Sequence, residues 1–321
     1  MEKKRIAVLT SGGDAPGMNA CIRSVVRNGI YYGFDMVGVI KGYNGLITNE
    51  MISMDNRSVG NIINRGGTIL RTARCLEFKT EEGMNTALEN IKKNNICGVV
   101  VIGGDGSFRG CRDLTQRGVP AIGIPGTIDN DLAYTDFTLG FDTAVNTALE
   151  AITKIRDTMA SHDRVSIIEV MGNKCGDIAL YSGLCGGAEY IIVPEMEWSF
   201  EALCDKLENS KKSGKTSSIV VVAEGAAKGN TLAAEIKKRT TMDTRTTVLG
   251  YIQRGGSPSA NDVLLASRFG AHAIELIAKG IGGRVVGIKS NKIFDMDILE
   301  ACSMKKQIDK ELFDIAEILS K

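Results

Sequence analysis

Short apolar runs recur along the chain and alternate with longer segments that mix polar and apolar residues. The runs are nearly continuous, as in strands that are buried on both faces of a parallel sheet. They predict strands at Ile6–Leu9, Met36–Ile40, Val99–Ile102, Ala121–Ile124, Val165–Val170, Ile191–Val193, Ile219–Ala223 and Val285–Ile288.

The segments between these runs have helical spacing. In Phe141–Ile155 the apolar residues fall at positions 141, 145, 148, 149, 152 and 155, which lie on one face of a helix. Ser199–Lys212 and Ser257–Lys279 have a similar pattern. Strands that alternate with helices predict α/β layers with parallel sheets and right-handed crossovers.

Composition narrows the classes of function. The 321 residues are enough for two domains, and 43% hydrophobic with 24% charged residues is an ordinary globular balance. A net charge of +1 without a long Lys/Arg block disfavours a nucleic-acid partner. No apolar run is long enough to span a bilayer, and Met1–Arg5 leads into a strand without a signal-like segment. We therefore expect no membrane partner and a cytoplasmic location.

Cysteine and histidine usage disfavours two further kinds of site. The 8 cysteines form no CxxC pair and lie mostly in apolar or helical patterns, so we expect buried, reduced thiols. His162 and His272 are the only histidines, which disfavours a zinc site or a histidine-based catalytic triad.

Three glycine-rich loops that carry aspartates follow predicted strands: Thr10–Gly17, Gly103–Ser107 and Pro125–Asp131. The carboxyl ends of parallel strands meet at one edge of a sheet, where ligands bind. Glycine lets backbone amides approach phosphate oxygens, and carboxylates hold Mg²⁺ beside them. Together the loops predict one site for phosphates and Mg²⁺. Each loop alone is also typical of a tight strand-to-helix turn.

Specific roles follow for several loop residues. Asp105 is the candidate Mg²⁺ ligand, and Ser107 is expected to cap a helix that begins after Gly106. Asp129 is the candidate base that takes a proton from a sugar hydroxyl. If its segment is extended, Asp129 and Asp131 point the same way. Thr127 and Asp131 would orient phosphate and metal, although an Asx-rich turn is the alternative interpretation.

Arginines that could bind a phosphorylated substrate come later in the chain. Arg164 precedes a predicted strand, Arg245 lies before Val248–Pro258, and Arg254 stands beside Gly255 at an expected helix start. Guanidinium groups hold phosphate oxygens bidentately, although each arginine alone fits a solvated surface position. Glu224 could accept hydrogen bonds from sugar hydroxyls or occupy a strand-end turn. The sequence thus predicts a nucleotide half followed by a second-substrate half.

Taken together, these residues resemble the bacterial ATP-dependent 6-phosphofructokinases over essentially the whole chain. The resemblance rests on Leu9–Ala20, Asn64–Thr68, Ile102–Ser107, Pro125–Asp131, Glu169–Gly172, Arg245 and Ile252–Pro258. It implies two Rossmann-like three-layer α/β/α domains with mostly parallel sheets and an active site in the cleft between them. Residues 1–139 plus 252–302 would form the ATP-binding domain, and residues 140–251 plus 303–321 the fructose 6-phosphate-binding domain.

The resemblance implies transfer of the γ-phosphoryl group of MgATP to the 1-hydroxyl of fructose 6-phosphate, a step of glycolysis. Catalysis is assigned to Asp129, Thr127 and Arg74, and Mg²⁺ to Asp105 and Asp131. ATP binding is assigned to Gly13, Tyr43, Arg74, Gly104, Asp105, Gly106 and Ser107. Substrate binding is assigned to Thr127, Asp129, Arg164, Met171, Gly172, Glu224, Arg245, Tyr251 and Arg254.

The resemblance also implies a homotetramer in which Arg164 and Arg245 reach the site of a neighbouring subunit. An effector site for ADP or phosphoenolpyruvate is implied at Arg23, Arg27, Arg156, Gly187, Glu189, Gly214 and Lys215. Two or three of its expected cations are displaced. Asn56 stands for an arginine beside Arg57, and Ser213 and Thr216 stand for lysines near Lys211 and Lys212. Whether allosteric control persists is left open.

Four positions bear on the donor and on substrate binding. Gly106 and Gly126 stand where pyrophosphate-dependent relatives carry Asp and Lys, so ATP is favoured. Asn173 replaces a frequent arginine, and Tyr251 replaces a phosphate-binding histidine, so we expect weaker sugar-phosphate binding or altered kinetics. Three alternatives stay open: a pyrophosphate-dependent phosphofructokinase, a lipid or NAD kinase with a similar Gly-Gly-Asp-Gly loop, and a non-catalytic regulatory subunit that binds sugar phosphates.

Overall fold

The computed structural model describes residues 3–159 and 161–320, which form two compact units. The first unit extends to Asp142 and includes Arg254–Lys305, and the second comprises Thr143–Gln253 and the chain from Lys306 onward. The predicted domain boundaries lie at 139/140, 251/252 and 302/303. Residues 1, 2, 160 and 321 of the predicted domains lie outside the described residues. The assignment of a ligand to each unit stays a prediction.

Strands and helices alternate along most of the chain. The strands are β1 (Arg5–Thr10), β2 (Asp35–Val39), β3 (Met51–Met54), β4 (Ile96–Gly103), β5 (Ala121–Pro125), β6 (Val165–Val170), β7 (Tyr190–Ile192), β8 (Ser218–Ala223), β9 (Thr244–Val248), β10 (Arg284–Lys289) and β11 (Lys292–Asp297). The α-helices are α1 (Met18–Tyr31), α2 (Tyr43–Thr48), α3 (Glu81–Lys93), α4 (Asp105–Gln116), α5 (Phe141–Met159), α6 (Asp177–Cys185), α7 (Phe200–Lys212), α8 (Gly229–Thr240), α9 (Ala260–Ala278), α10 (Ile298–Ser303) and α11 (Lys310–Leu319). Short 3₁₀ helices cover Glu77–Lys79 and Gly250–Arg254.

Each unit is built on its own sheet. The first has the strand order β11-β10-β5-β4-β1-β2-β3, and only its outer pairs β2–β3 and β10–β11 are antiparallel. The second has the order β7-β8-β6-β9, and all of its neighbouring strands are parallel. The prediction of α/β layers with mostly parallel sheets is confirmed.

All the predicted strands are present, but the apolar pattern missed β3, β9 and β11. These strands lie at the outer positions of their sheets, where one side receives no neighbouring strand. Most of their residues are partly or fully exposed, so their sequences contain no continuous apolar run. The predicted helices correspond to α5, α7 and α9, and Ser199 and Ser259 cap the last two.

Apolar side chains from the central strands form the core of each unit. In the first unit Leu9 of β1 and Val101 of β4 pack in one cluster with Phe108 of α4. In the second unit Ile167 of β6 and Val220 of β8 pack with helices α7 and α8. These rigid strands hold their carboxyl ends, and the loops that follow them, in fixed positions.

The cysteines are unbridged, but they are not all buried. Cys21, Cys111, Cys175 and Cys204 are buried, whereas Cys185 is exposed at the end of α6. Burial raises the pKa of the Cys21 and Cys111 thiols, which keeps them protonated at neutral pH. None of the helices in the described part of the chain combines the length and apolarity that crossing a bilayer requires.

Candidate active site

The predicted glycine-rich loops converge at one edge of the first sheet. β5, β4 and β1 are neighbours in that sheet, and each loop follows the carboxyl end of one of them. The amide of Ser11 donates to the Ile102 carbonyl at 3.0 Å, and that of Gly126 donates to the Gly103 carbonyl at 2.9 Å. Backbone hydrogen bonds therefore tie the first and third loops to the end of β4, where the second loop begins.

Glycines allow this close approach. A Cβ atom on Gly103 would overlap the Ser107 hydroxyl and the Ser11 carbonyl. A Cβ atom on Gly13 would lie 3.2 Å from a guanidinium nitrogen of Arg254. Gly13 itself is exposed, so its backbone is accessible to a ligand.

The second loop enters helix α4 earlier than the sequence suggested. α4 begins at Asp105 with Gly104 as its N-cap, and Ser107 is a buried residue inside the first turn. The prediction that Ser107 caps this helix is therefore wrong. The physical reason is that Gly104 adopts an extended conformation, and its carbonyl already accepts the amides of Ser107 and Phe108. The exposed carboxylate of Asp105 accepts a hydrogen bond from Arg109 at 2.7 Å.

The two donor-choice glycines differ in the space around them. A Cβ atom on Gly106 would meet nothing within 4 Å. On Gly126 it would lie 2.9 Å from Ile102 Cγ2 and 3.2 Å from Met18 Cε. Position 106 thus has open space around it, whereas a side chain at position 126 would crowd the core.

The third loop is not extended. Asn130 has a left-handed φ of 52°, which breaks the alternation of side chains along the segment. The argument that places Asp129 and Asp131 on the same side is therefore wrong. Asn130 is buried and donates a hydrogen bond to the carbonyl of Asp136 at 3.2 Å, which stabilises this conformation.

A turn forms around the candidate base. The amide of Asp129 donates to the hydroxyl of Thr127 at 3.3 Å, and the hydroxyl of Thr138 donates to the Thr127 carbonyl at 2.6 Å. The turn interpretation thus describes the backbone, while the half-buried Asp129 stays beside Thr127 at the carboxyl end of β5. A turn and a catalytic role do not exclude each other.

Two further residues assigned to ATP lie in the first unit. Arg74 is exposed in the segment before the 3₁₀ helix Glu77–Lys79. Tyr43 is buried at the start of α2, where its hydroxyl donates to the Ser107 carbonyl at 2.5 Å. Its ring stacks on Phe78 with the ring centroids 4.2 Å apart.

Sequence reasoning gave no role to Asn19, which holds the segment that leads to Arg74. Its buried amide nitrogen donates to the carbonyls of Arg65 and Gly66 at 3.0 and 3.1 Å. Its amide oxygen accepts the Ile69 amide at 2.8 Å. The only sequence signal was its position inside the Leu9–Ala20 motif.

In the second unit, some of the predicted substrate residues gather at the carboxyl end of β6. The Gly225 amide donates to the Gly172 carbonyl at 3.1 Å, and the Glu224 amide donates to the Val170 carbonyl at 2.9 Å. These bonds place Met171, Gly172 and Glu224 side by side.

Gln253 was also missed by sequence reasoning. It is completely buried, and its side-chain oxygen accepts the Met171 amide at 3.2 Å. It fixes the 3₁₀ helix Gly250–Arg254 at this end of β6, where Tyr251 is 80% exposed.

Arg164 and Arg245 lie at the opposite end of β6. Arg164 precedes the first residue of the strand, and Arg245 of β9 pairs in register with Ser166. Both guanidinium groups contact Asp243, at 3.6 and 3.3 Å. With a rise of about 3.3 Å per residue, Arg164 is roughly 23 Å from Met171 along the strand. The structure therefore brings the two arginines together but does not bring them to Met171.

Arg254 does not stand at a helix start. It ends the 3₁₀ helix, and α9 begins only at Ala260, so the predicted helix start beside Gly255 is wrong. Residues 255–259, the last of which is the N-cap of α9, separate the two helices. Arg254 instead packs against Gly13 of the first loop.

Five of the predicted effector residues lie within the second unit. Arg156 donates to the carbonyls of Gly186 and Gly187 at 2.5 and 2.8 Å. The buried Glu189 accepts the Ile219 amide at 2.5 Å and pairs with Lys215 at 2.8 Å. Gly214 adopts a left-handed conformation just before Lys215.

Arg23 and Arg27 lie on α1 of the first unit, separated by one helical turn. Their side chains therefore share one face of that helix. The predicted effector set is thus divided between the two units of the chain.

Comparison with known proteins places this geometry in a family. The model of the phosphofructokinase family matches residues 5–277. The chain is 58% identical over 317 residues to the ATP-dependent 6-phosphofructokinase of Clostridium tetani, with 99% of both chains covered. It is 57% identical over 317 residues to that of Clostridioides difficile, with the same coverage.

The chain belongs to the phosphofructokinase family. Solved phosphofructokinases have the same fold. The phosphofructokinase of Saccharomyces cerevisiae matches 99% of this chain with a TM-score of 0.88 and 33% identity, and this chain spans 48% of the yeast chain. A pyrophosphate-dependent phosphofructokinase from Marinobacter aquaeolei has a TM-score of 0.85 at 22% identity, which supports the fold alone.

Proposed function

We propose that the chain is an ATP-dependent 6-phosphofructokinase. It transfers the γ-phosphoryl group of MgATP to the 1-hydroxyl of fructose 6-phosphate, a step of glycolysis that yields fructose 1,6-bisphosphate and ADP. The convergence of three glycine-rich loops at one sheet edge is the observation that carries this proposal. The ATP-dependent relatives, which are 57–58% identical over nearly the whole chain, support it.

The first unit would bind the nucleotide. The exposed backbone of Gly13 and the Gly104–Ser107 segment offer amides to phosphate oxygens, and the N-terminus of α4 adds partial positive charge. Arg74 is an exposed cation in the same unit and would contact a phosphate group. Phosphoryl transfer depends mostly on such positioning and charge stabilisation.

Asp105 and Asp131 would hold Mg²⁺. Carboxylate oxygens suit this hard cation, which proteins usually hold through one or two carboxylates plus substrate phosphates. Asp105 is exposed at the start of α4, and Oδ1 of Asp131 is buried in the third loop. When bound, the ion neutralises charge on the phosphate groups.

Asp129 would accept the proton of the sugar 1-hydroxyl, and Thr127 would position the reacting groups. The turn between these residues holds the base at the end of β5. A base within hydrogen-bond reach of the attacking hydroxyl contributes about 10²–10⁴-fold in rate.

The second unit would bind the sugar phosphate. Met171, Gly172 and Glu224 lie together at one end of β6, whereas Arg164 and Arg245 lie at the other. The two groups are too far apart to hold one ligand within a single chain.

This separation supports a homotetramer in which the two arginines serve a neighbouring subunit. Val248, Tyr251 and Ile252 form an exposed apolar surface near the end of β9 that would suit a contact between copies of the chain. An effector site for ADP or phosphoenolpyruvate and a cytoplasmic location remain part of the proposal.

A coupled assay for fructose 1,6-bisphosphate tests the function. It is run with ATP and then with pyrophosphate, at the same concentrations of Mg²⁺ and fructose 6-phosphate. Turnover with ATP alone is expected. Turnover with pyrophosphate would contradict the donor assignment, and no turnover with either donor would favour the non-catalytic regulatory subunit.

A further inference from the structure

Tyr43 packs beneath the loop that is expected to bind phosphates. Only 6% of the residue is exposed, and its hydroxyl donates to the Ser107 carbonyl at 2.5 Å. Its ring stacks on Phe78 at an interplanar angle of 28°. The hydroxyl thus contacts the first turn of α4, and the ring contacts Phe78 in the core.

Gly110 marks a second point of contact between Tyr43 and α4. A Cβ atom on Gly110 would lie 2.6 Å from Cζ of Tyr43 and 2.8 Å from its hydroxyl oxygen. Glycine inside a helix costs about 0.5–1 kcal/mol relative to alanine. The tyrosine ring explains this glycine, because any side chain at position 110 would overlap it.

The hydroxyl of Tyr43 remains a hydrogen-bond donor at neutral pH. Burial raises the pKa of the phenol well above its usual range, so the group stays protonated at neutral pH. The Ser107 carbonyl therefore keeps this hydrogen bond in addition to any bond within the helix. Asp105 and Gly106 precede Ser107 in the same turn, so their positions depend on the position of Ser107.

We propose that Tyr43 is a positioning residue, which fixes the first turn of α4 and acts on the phosphates of the nucleotide through Gly104–Ser107. This inference rests on the proposed function and changes the role of Tyr43 from an ATP-binding residue to a support for the phosphate loop. The Gly110 backbone and the Phe78 ring hold the tyrosine in place.

The test compares a ligand with a nucleoside and a ligand without one. Tyr43→Phe keeps the stacked ring and removes the donor. Calorimetry measures the binding of MgADP and of Mg²⁺-tripolyphosphate to the full chain, and steady-state kinetics give KM for ATP and for fructose 6-phosphate. We expect both affinities to fall by the same factor, about fivefold, as for the loss of one hydrogen bond. KM for fructose 6-phosphate should not change.

Unequal effects would overturn the proposal. Weaker binding of MgADP with unchanged binding of tripolyphosphate would assign Tyr43 to the nucleoside. Unchanged binding of both would remove any role for its hydrogen bond. Tyr31→Phe is the matched control, because Tyr31 is 83% exposed on α1 and should leave all four values unchanged.

Gly110→Ala provides a second variant, because its methyl group pushes on the ring while every tyrosine atom is retained. It should also weaken both ligands together, and thermal unfolding verifies that each variant is folded. Wild-type protein that binds both ligands but forms no fructose 1,6-bisphosphate would contradict the proposed function alone. Wild-type protein that binds neither would overturn both proposals.

Discussion

The two units hold their candidate residues in different ways. In the first, hydrogen bonds between backbone groups draw three loops to one edge of the sheet. In the second, the candidates are divided between the two ends of β6, with Met171 and Glu224 at one end and Arg164 and Arg245 at the other. We therefore expect the proposed phosphate site to be complete within one sheet, whereas the proposed sugar-phosphate site, which uses residues from both ends of β6, would need a second copy of the chain.

The largest expected effect lies in the first unit. Asp129→Asn should lower kcat by about 10²–10⁴-fold while ligand binding is retained, because the base is lost and the shape is kept. The coupled assay and calorimetry measure the two quantities. Asp136→Asn is the control, since the Asp136 carboxylate accepts the Ser290 amide and has no assigned catalytic role. Full turnover by the Asp129→Asn variant would show that Asp129 is not the catalytic base.

The next effect tests the division of the second unit. Arg164→Ala should raise KM for fructose 6-phosphate by about 10- to 100-fold, as expected for lost hydrogen bonds to a charged group. Mixing dissociated Arg164→Ala and Asp129→Asn subunits and reassociating them should restore turnover, because some shared sites then contain neither defect.

A mixture of Arg164→Ala and Arg245→Ala subunits is the matched control. Both residues would reach the neighbouring site from the same side, so every shared site keeps one defect and turnover should stay low. Equal behaviour of the two mixtures would show that the sites are not shared.

A smaller effect concerns the donor. Gly106→Asp should lower kcat/KM for ATP by about tenfold or more through repulsion between the carboxylate and the phosphates. The free energy of unfolding should change little, because a side chain at 106 meets open space. Gly126→Ala should have the opposite pattern. It should lower the free energy of unfolding by about 1–3 kcal/mol through crowding against Ile102, with little change in kcat/KM for ATP. Urea unfolding measures the stability of each variant, and the ATP assay measures its kcat/KM. Equal changes in both quantities for the two variants would show that positions 106 and 126 do not differ in this way.

The smallest kinetic effect is expected at Asn19. Asn19→Asp places a carboxylate against the carbonyls of Arg65 and Gly66, which should lower the free energy of unfolding by about 1–3 kcal/mol. KM for ATP should rise a few-fold as the segment before Arg74 loosens, as judged by urea unfolding and kinetics. Asn28→Asp on the same helix is the control, because the Asn28 amide donates to the carbonyl and hydroxyl of Ser24, which lies one turn earlier in α1. An equal loss in both variants would mean that Asn19 has no special role.

The same comparison explains how much the sequence could predict. Continuous apolar runs identified the central strands, because burial on both faces leaves few polar positions. β9 has the sequence Thr244-Arg-Thr-Thr-Val248 and lies at the edge of its sheet, so the same rule missed it. The positions of the glycine-rich loops after three strands predicted that the loops would meet at one edge of the sheet, and the structure places them together.

Errors arose where tertiary contacts decide local conformation. The left-handed Asn130 depends on a carbonyl six residues away, and the local pattern of the Pro125–Asp131 segment gives no sign of it. The contact of Tyr43 with Gly110 and that of Arg254 with Gly13 join residues far apart in sequence. The apolar periodicity of the sequence does not indicate such contacts. Their roles become visible only when the backbone that separates them is in place.

Asp243 has a consequence for the surface of the chain. It contacts both Arg164 and Arg245, so one carboxylate serves two guanidinium groups and the three side chains together carry a charge of +1 rather than +2. If the two arginines bind a phosphate group, as proposed, the pairing with Asp243 should weaken the binding of other polyanions in the absence of that ligand. A phosphate dianion carries twice the charge of the aspartate, so it can draw both arginines away from their resident counterion. The selectivity of this surface would then be set by valence as much as by shape.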